Sequence, residues 1–168
     1  MTEPLKVVAD VIRHELRLEP EQVLLYNQKF NIPNDDRLYV SVALLGVKHF
    51  GSSVRYSVDP VTGDMREVQS TNRLELVSVT LFSRSAEARV RNWEVPAALV
   101  GTYSEQAQEA NSINIARLPA AMSDVSQLEG TARLNRYVLT IQVQAAYAKT
   151  MPTAAYDQFS APALHTNA

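Results

Sequence analysis

RLELVSVTLF, residues 73–82, decides the fold of this 168-residue chain. Leu74 and Leu76 lie on one side of the extended backbone, and Val77, Val79 and Leu81 on the other. Apolar residues on both sides suit a strand in the middle of a sheet that is covered on part of each face. A helical pattern follows at once. Ser83 or Ser85 can cap a helix beginning near Ala86, and Val90, Trp93, Ala97, Val100 and Ala107 recur at three- and four-residue spacing. That spacing predicts one apolar stripe lying on the sheet. Pro96 cannot donate to the helical ladder and disfavours the α region at Val95, so a kink or a break into two helices is expected there, with Gly101 weakening the second half. Arg84, Glu87, Arg91, Glu94, Glu105 and Glu109 make the opposite, solvated face.

Upstream, Thr2 reads as an N-cap, with Glu3 and Pro4 in the first turn and Leu5, Val8, Ile12 and Leu16 as the stripe of a helix ending before Pro20. Val23–Phe30 reads as a buried strand stopped by the polar run 31–37, and Leu38–Lys48 as a second strand with alternating faces. Within Gly51–Ser70, Gly51-Ser52-Ser53 reads as a turn. Val54, Tyr56 and Val58 alternate before the turn formers Asp59-Pro60 and Thr62-Gly63-Asp64, and Met65–Gln69 returns. This is a projecting hairpin with little core of its own, which points to packing on another subunit.

Downstream, Ile113–Leu118 is a short strand ended by Pro119, and Met122–Glu129 a loop or single helical turn. Tyr137–Tyr147 is the cleanest strand: Tyr137, Leu139, Ile141, Val143, Ala145 and Tyr147 share one face, while Val138, Thr140, Gln142, Gln144 and Ala146 share the other. The whole reads as one α+β domain over residues 1–150: a single mixed, mainly antiparallel sheet, an N-terminal helix and a kinked central helix on one face, and the projecting hairpin. Residues 151–168 form an extended C-terminal tail in which Tyr156 and Phe159 are the large anchors.

Chemistry has few parts to work with. There are no cysteines, which excludes disulfides, thiolate nucleophiles and Cys-ligated zinc. His14, His49 and His165 are far apart in sequence, without metal-ligand spacing, and the five glycines form neither a phosphate loop nor a dinucleotide fingerprint. Asp35-Asp36 sits in a turn-forming loop, and Trp93 reads as a core anchor. The expectation is no catalytic, cofactor-binding or metal site. A net charge of −2 and a pI near 5.9 give no electrostatic grip on nucleic acid. No segment has the apolar length of a signal peptide or a membrane span. Arg133 and Arg136 flank the last strand and can pair, between subunits, with an acidic edge such as Glu105 or Glu109.

Several segments in order resemble the neck or tail terminator (head-tail joining) proteins of tailed bacteriophages. They are Tyr26-Asn27-Gln28-Lys29-Phe30 with Pro33, LELVSVTLFSR leading into AEARVRNWEVPAAL, TYSEQAQEANSINIARLP, and Leu128-Glu129-Gly130 followed by LNRYVLTIQVQAAYAK and Tyr156-Asp157-Gln158-Phe159. The resemblance implies a virion structural protein, assembled in the host cytoplasm, that forms a homohexameric ring. That ring would terminate the tail tube, contact the tube protein on one side and the head connector or collar on the other, and let DNA pass without specific binding. A heterologous ring needs two different edges per subunit, here Arg133, Arg136, Glu105 and Glu109 with Tyr56, Val58, Met65, Tyr156 and Phe159. The alternatives are a small-molecule-binding or enzymatic α+β domain, an adaptor pairing its sheet edge with a partner strand, or another connector or tail-completion subunit.

Overall fold

The computed structural model describes residues 3–25, 33–116, 121–129 and 132–153. Their order is helix α1 (Pro4–Leu16), a 3-10 turn (Pro20–Gln22), β1 (Val23–Leu25), β2 (Tyr39–Val58), β3 (Met65–Ser83), α2 (Glu87–Arg91), α3 (Glu94–Val100), α4 (Thr102–Asn111), β4 (Ile113–Ile115), β5 (Ser123–Asp124), β6 (Gln127–Glu129) and β7 (Ala132–Pro152). The sheet runs β1-β2-β3-β7-β4, with β5 and β6 also against β7. Among the described residues only β1 and β2 pair in parallel. The fold is therefore the α+β architecture expected, with β3 at its centre.

One sheet face carries Val40 and Val42 of β2, Val77, Val79 and Leu81 of β3, and Leu139, Ile141 and Val143 of β7, all buried. The four helices lie over it. From them Leu5, Val8, Val11, Ile12, Leu16, Ala88, Val95, Ala98 and Leu99 enter the same core. Each fully buried aliphatic side chain contributes roughly 1.5–3 kcal/mol. On the other face, Tyr39, Phe82 and Leu134 form a smaller cluster, with the Tyr39 and Phe82 rings 5.8 Å apart.

Helix α1 begins at Pro4 with Glu3, not Thr2, as the cap residue, and Thr2 lies outside the described residues. It ends with Arg17 in the left-handed region at φ 54, where Leu18 N–H reaches the Arg13 carbonyl at 3.0 Å. Ser83 and Ser85 both serve the next helix start: their hydroxyls accept from Ala88 N–H and Glu87 N–H at 3.0 and 3.2 Å. The central helical region then breaks twice. Asn92 and Trp93 separate α2 from α3, so Pro96 sits in a first turn, where a missing N–H costs nothing. Gly101 separates α3 from α4.

These breaks overturn the expected stripe. Val90, Trp93, Ala97 and Val100 face outward, and Trp93 is 64% exposed. Of the five, only Ala107 packs against the core. Each break resets the helical phase, so a spacing counted across both does not describe one face; the core side is Ala88, Val95, Ala98 and Leu99. The face expected to be solvated is partly buried in turn. Arg91 makes a bidentate pair with Glu94 at 2.8–3.0 Å and donates to the Leu16 carbonyl at 2.8 Å, tying α2 to the end of α1 and, through Glu94, to the start of α3.

Other boundaries move. Met122–Glu129 holds two short strands, β5 and β6, and not a helical turn, because Asp124 accepts from Ser126 N–H at 2.9 Å and turns the chain so that both strands reach β7. Gly51 is not in a turn. It sits at φ +68 in a register shift between Phe50 and Ser52, one of two bulges in β2, the other lying between Leu44 and Gly46. The remainders of the expected strands Val23–Phe30 and Ile113–Leu118 past Leu25 and Ala116 lie outside the described residues.

Leu139→Ala should cost about 3 kcal/mol of unfolding free energy in urea, whereas Trp93→Ala should cost less than about 0.5 kcal/mol. Equal losses would restore Trp93 to the core.

Candidate assembly surface

Beyond the helices, β2, β3 and β7 continue together. Val58 pairs with Met65 at the tip, and Arg66 pairs with Pro152 on the other side of β3. The expected two-stranded hairpin is thus a three-stranded arm, and Met151 and Pro152, assigned from sequence to the tail, complete its third strand. From Glu75, the last buried residue of β3, to Met65 the arm extends roughly 33 Å at the usual rise of an antiparallel strand.

A polar cluster marks the root of the arm. Glu75 is 3% exposed, accepts from the Tyr147 hydroxyl at 2.7 Å and pairs with Arg73 at 3.1 Å, whose guanidinium lies 4.5 Å over the Tyr147 ring. Burial, and then the hydrogen bond to Glu75, push the Tyr147 hydroxyl up to about 12. Sequence reading passed over Glu75, although it shares strand parity with Val77, Val79 and Leu81 and so had to point at the core side. At the tip, Asp59 is buried, ion-paired to Arg66, and accepts from Val61 N–H at 2.9 Å. Gly63 at φ +75 completes the turn. Between root and tip the cross-strand contacts are small and polar: the Ser53 and Ser70 hydroxyls meet at 2.7 Å, and Ser52 donates to Thr71 at 3.3 Å.

Val54, Tyr56 and Val58 lie on the same face of the arm as the helix layer does on the body, opposite Gln69, Glu67 and Met65, with Lys149 and Met151 beyond. They are 53%, 62% and 62% exposed. A row of apolar side chains with one layer of sheet behind it has no core to join among the described residues.

The remaining candidates are dispersed. Arg133 is exposed and approaches Asp124 at 3.9 Å. Arg136 is exposed on the sheet face away from the helices and has no side-chain partner among the described residues. Glu105 and Glu109 line an open groove of about 720 Å³ between α4 and β4, on the helix side, so Arg136 and these glutamates stand on different surfaces of one subunit. Tyr156 and Phe159 lie outside the described residues. His14 stacks on Tyr103 at 3.8 Å, Asp35 accepts from Arg37 and Tyr39, and His165 lies outside the described residues. Among the described residues no three metal-ligating side chains gather, and no helix is long and apolar enough to cross a membrane.

Tyr147 loses its proton near pH 10 in the unfolded chain and near 12 in the folded one, so its contribution to stability is intact below pH 10 and lost as pH climbs to 12. Urea unfolding across that range should show a steeper loss for the wild type than for Tyr147→Phe. Parallel curves would remove Tyr147 from the account.

No protein-family model matches this sequence, and no curated protein matches it at a significant level.

Proposed function

We propose that this chain is a non-enzymatic assembly subunit of a tailed bacteriophage. Six copies form a ring at the head-tail junction that terminates the tail tube, meets the head connector or collar, and lets DNA pass. The observation that carries the self-association is the three-stranded arm, whose apolar row has no covering layer among the described residues. The resemblance of its segment order to neck and tail terminator proteins supports the location. A pI near 5.9 suits a lumen through which DNA slides, since clustered lysines and arginines would hold phosphate and release counterions.

The division of labour within the chain follows from the same features. The body folds on its own core, and the arm is ordered by its ladders and by the Glu75 and Asp59 clusters while leaving its apolar row available. Such a subunit can be stable alone and still gain by meeting its neighbours, as a subunit recruited to a growing structure must.

Light scattering after size exclusion should give a particle about six times the 18.7 kDa chain, either free or on addition of tail tubes, and negative stain should show annuli. Replacing Tyr56–Val68 by a short turn should abolish the particle and change the unfolding free energy of the body by less than about 1 kcal/mol. A protein that stays monomeric with tubes present would sink the proposal.

A further inference from the structure

Resting on the ring reading, we infer that the arms join edge to edge: the outer edge of β7 in one copy pairs in parallel with the outer edge of β2 in the next. Among the described residues the arm has two open edges, and the hydrogen bonds fix which residues face them. Asp59 N–H bonds to the Asp64 carbonyl, so by alternation the backbone groups of Val58, Tyr56, Val54 and Ser52 point away from β3. On β7, Thr153 N–H bonds to Met65 and Ala116 N–H bonds to Gln142, which turns the even-numbered residues outward. Gln144 is covered by β4, whereas Ala146, Ala148 and Thr150 have no strand beside them among the described residues. Pro152 follows at the next outward position, where it has no N–H to offer, and ends the edge.

These edges fit a second copy of the same chain. Both β2 and β7 run antiparallel to β3, so they point the same way, and copies related by rotation about an axis along the arm bring β7 beside β2 without reversal. The levels also match. Thr150 and Arg55 both stand opposite Val68, and Ala148 and Ser53 both stand opposite Ser70. Without an axial offset, Thr150 then meets Arg55 of the next copy, and Val54 of that copy offers its N–H and C=O between Ala148 and Thr150. On the apolar face, Met151 comes beside Tyr56 of the next copy, and Lys149 beside Val54, because each pair shares one level of the sheet. Thioether and ring make a favourable contact there. Small Ala146 and Ala148 on the far face leave the approach unobstructed.

Because the two edges differ, blocking each has a distinct effect. Val54→Pro removes an outward N–H from β2, and Ala148→Pro one from β7. Neither touches the ladders to β3, so the amide resonances of β3 should keep their wild-type positions in both. Each variant alone should run as a monomer where the wild type forms the large particle. An equimolar mixture should form a heterodimer, at about twice the chain mass and no larger, because one intact β7 edge meets one intact β2 edge. If either variant assembles like the wild type, or the mixture stays monomeric, the edge pairing is wrong and the ring reading stands. Self-dimers of Ala148→Pro would show symmetric β2 pairing and also overturn it. Only a wild type that never assembles would remove the ring reading too.

Discussion

Strand β3 is hydrogen-bonded on both sides along almost its whole length, to β2 from Met65 to Phe82 and to β7 from Arg66 to Ser83. With its backbone groups satisfied by neighbours, its side chains are free to meet two different surroundings in turn. At the Leu81 end they are buried under helices; at the Met65 end they stand on a single layer of sheet. The body and the arm are one continuous ladder, so the arm is held in line with the body by the same bonds that build the core.

The two ends are stabilised differently. Burial dominates in the body, where helix and sheet side chains share one apolar cluster. In the arm, order comes from backbone pairing, hydroxyl contacts and the polar clusters at root and tip, with little apolar area removed from water. The helix layer stops at Glu75, where a carboxylate replaces the valines above it, and Arg73 and Tyr147 close the boundary. That change of residue type within one strand face marks where the helix-covered core ends and the single-layer arm begins.

Much of this was legible in the residues. The alternation of Tyr137–Tyr147, the position of β3 and the stripe of α1 all follow from a single period holding over a whole element. Where a period is interrupted, reading failed: Trp93 and Val90 kept helical spacing at the α2–α3 break and ended up outside. The third strand of the arm was hidden because Ala146, Ala148 and Pro152 are poor strand formers and are placed by pairing to β3. Strands β5 and β6 are too short to show any period. The apolar residues Tyr56, Val58 and Met65 were visible as a surface from sequence, but which edge of the arm lies open depends on hydrogen-bond alternation, which only coordinates supply.

The outward position of Trp93 has a spectroscopic consequence. It is the only indole in the chain and already stands in water in the folded subunit. Its emission is therefore nearly blind to denaturation of the core. It becomes a probe of whatever comes to lie against the outer surface of the helix layer, where loss of hydration would shift the light to the blue.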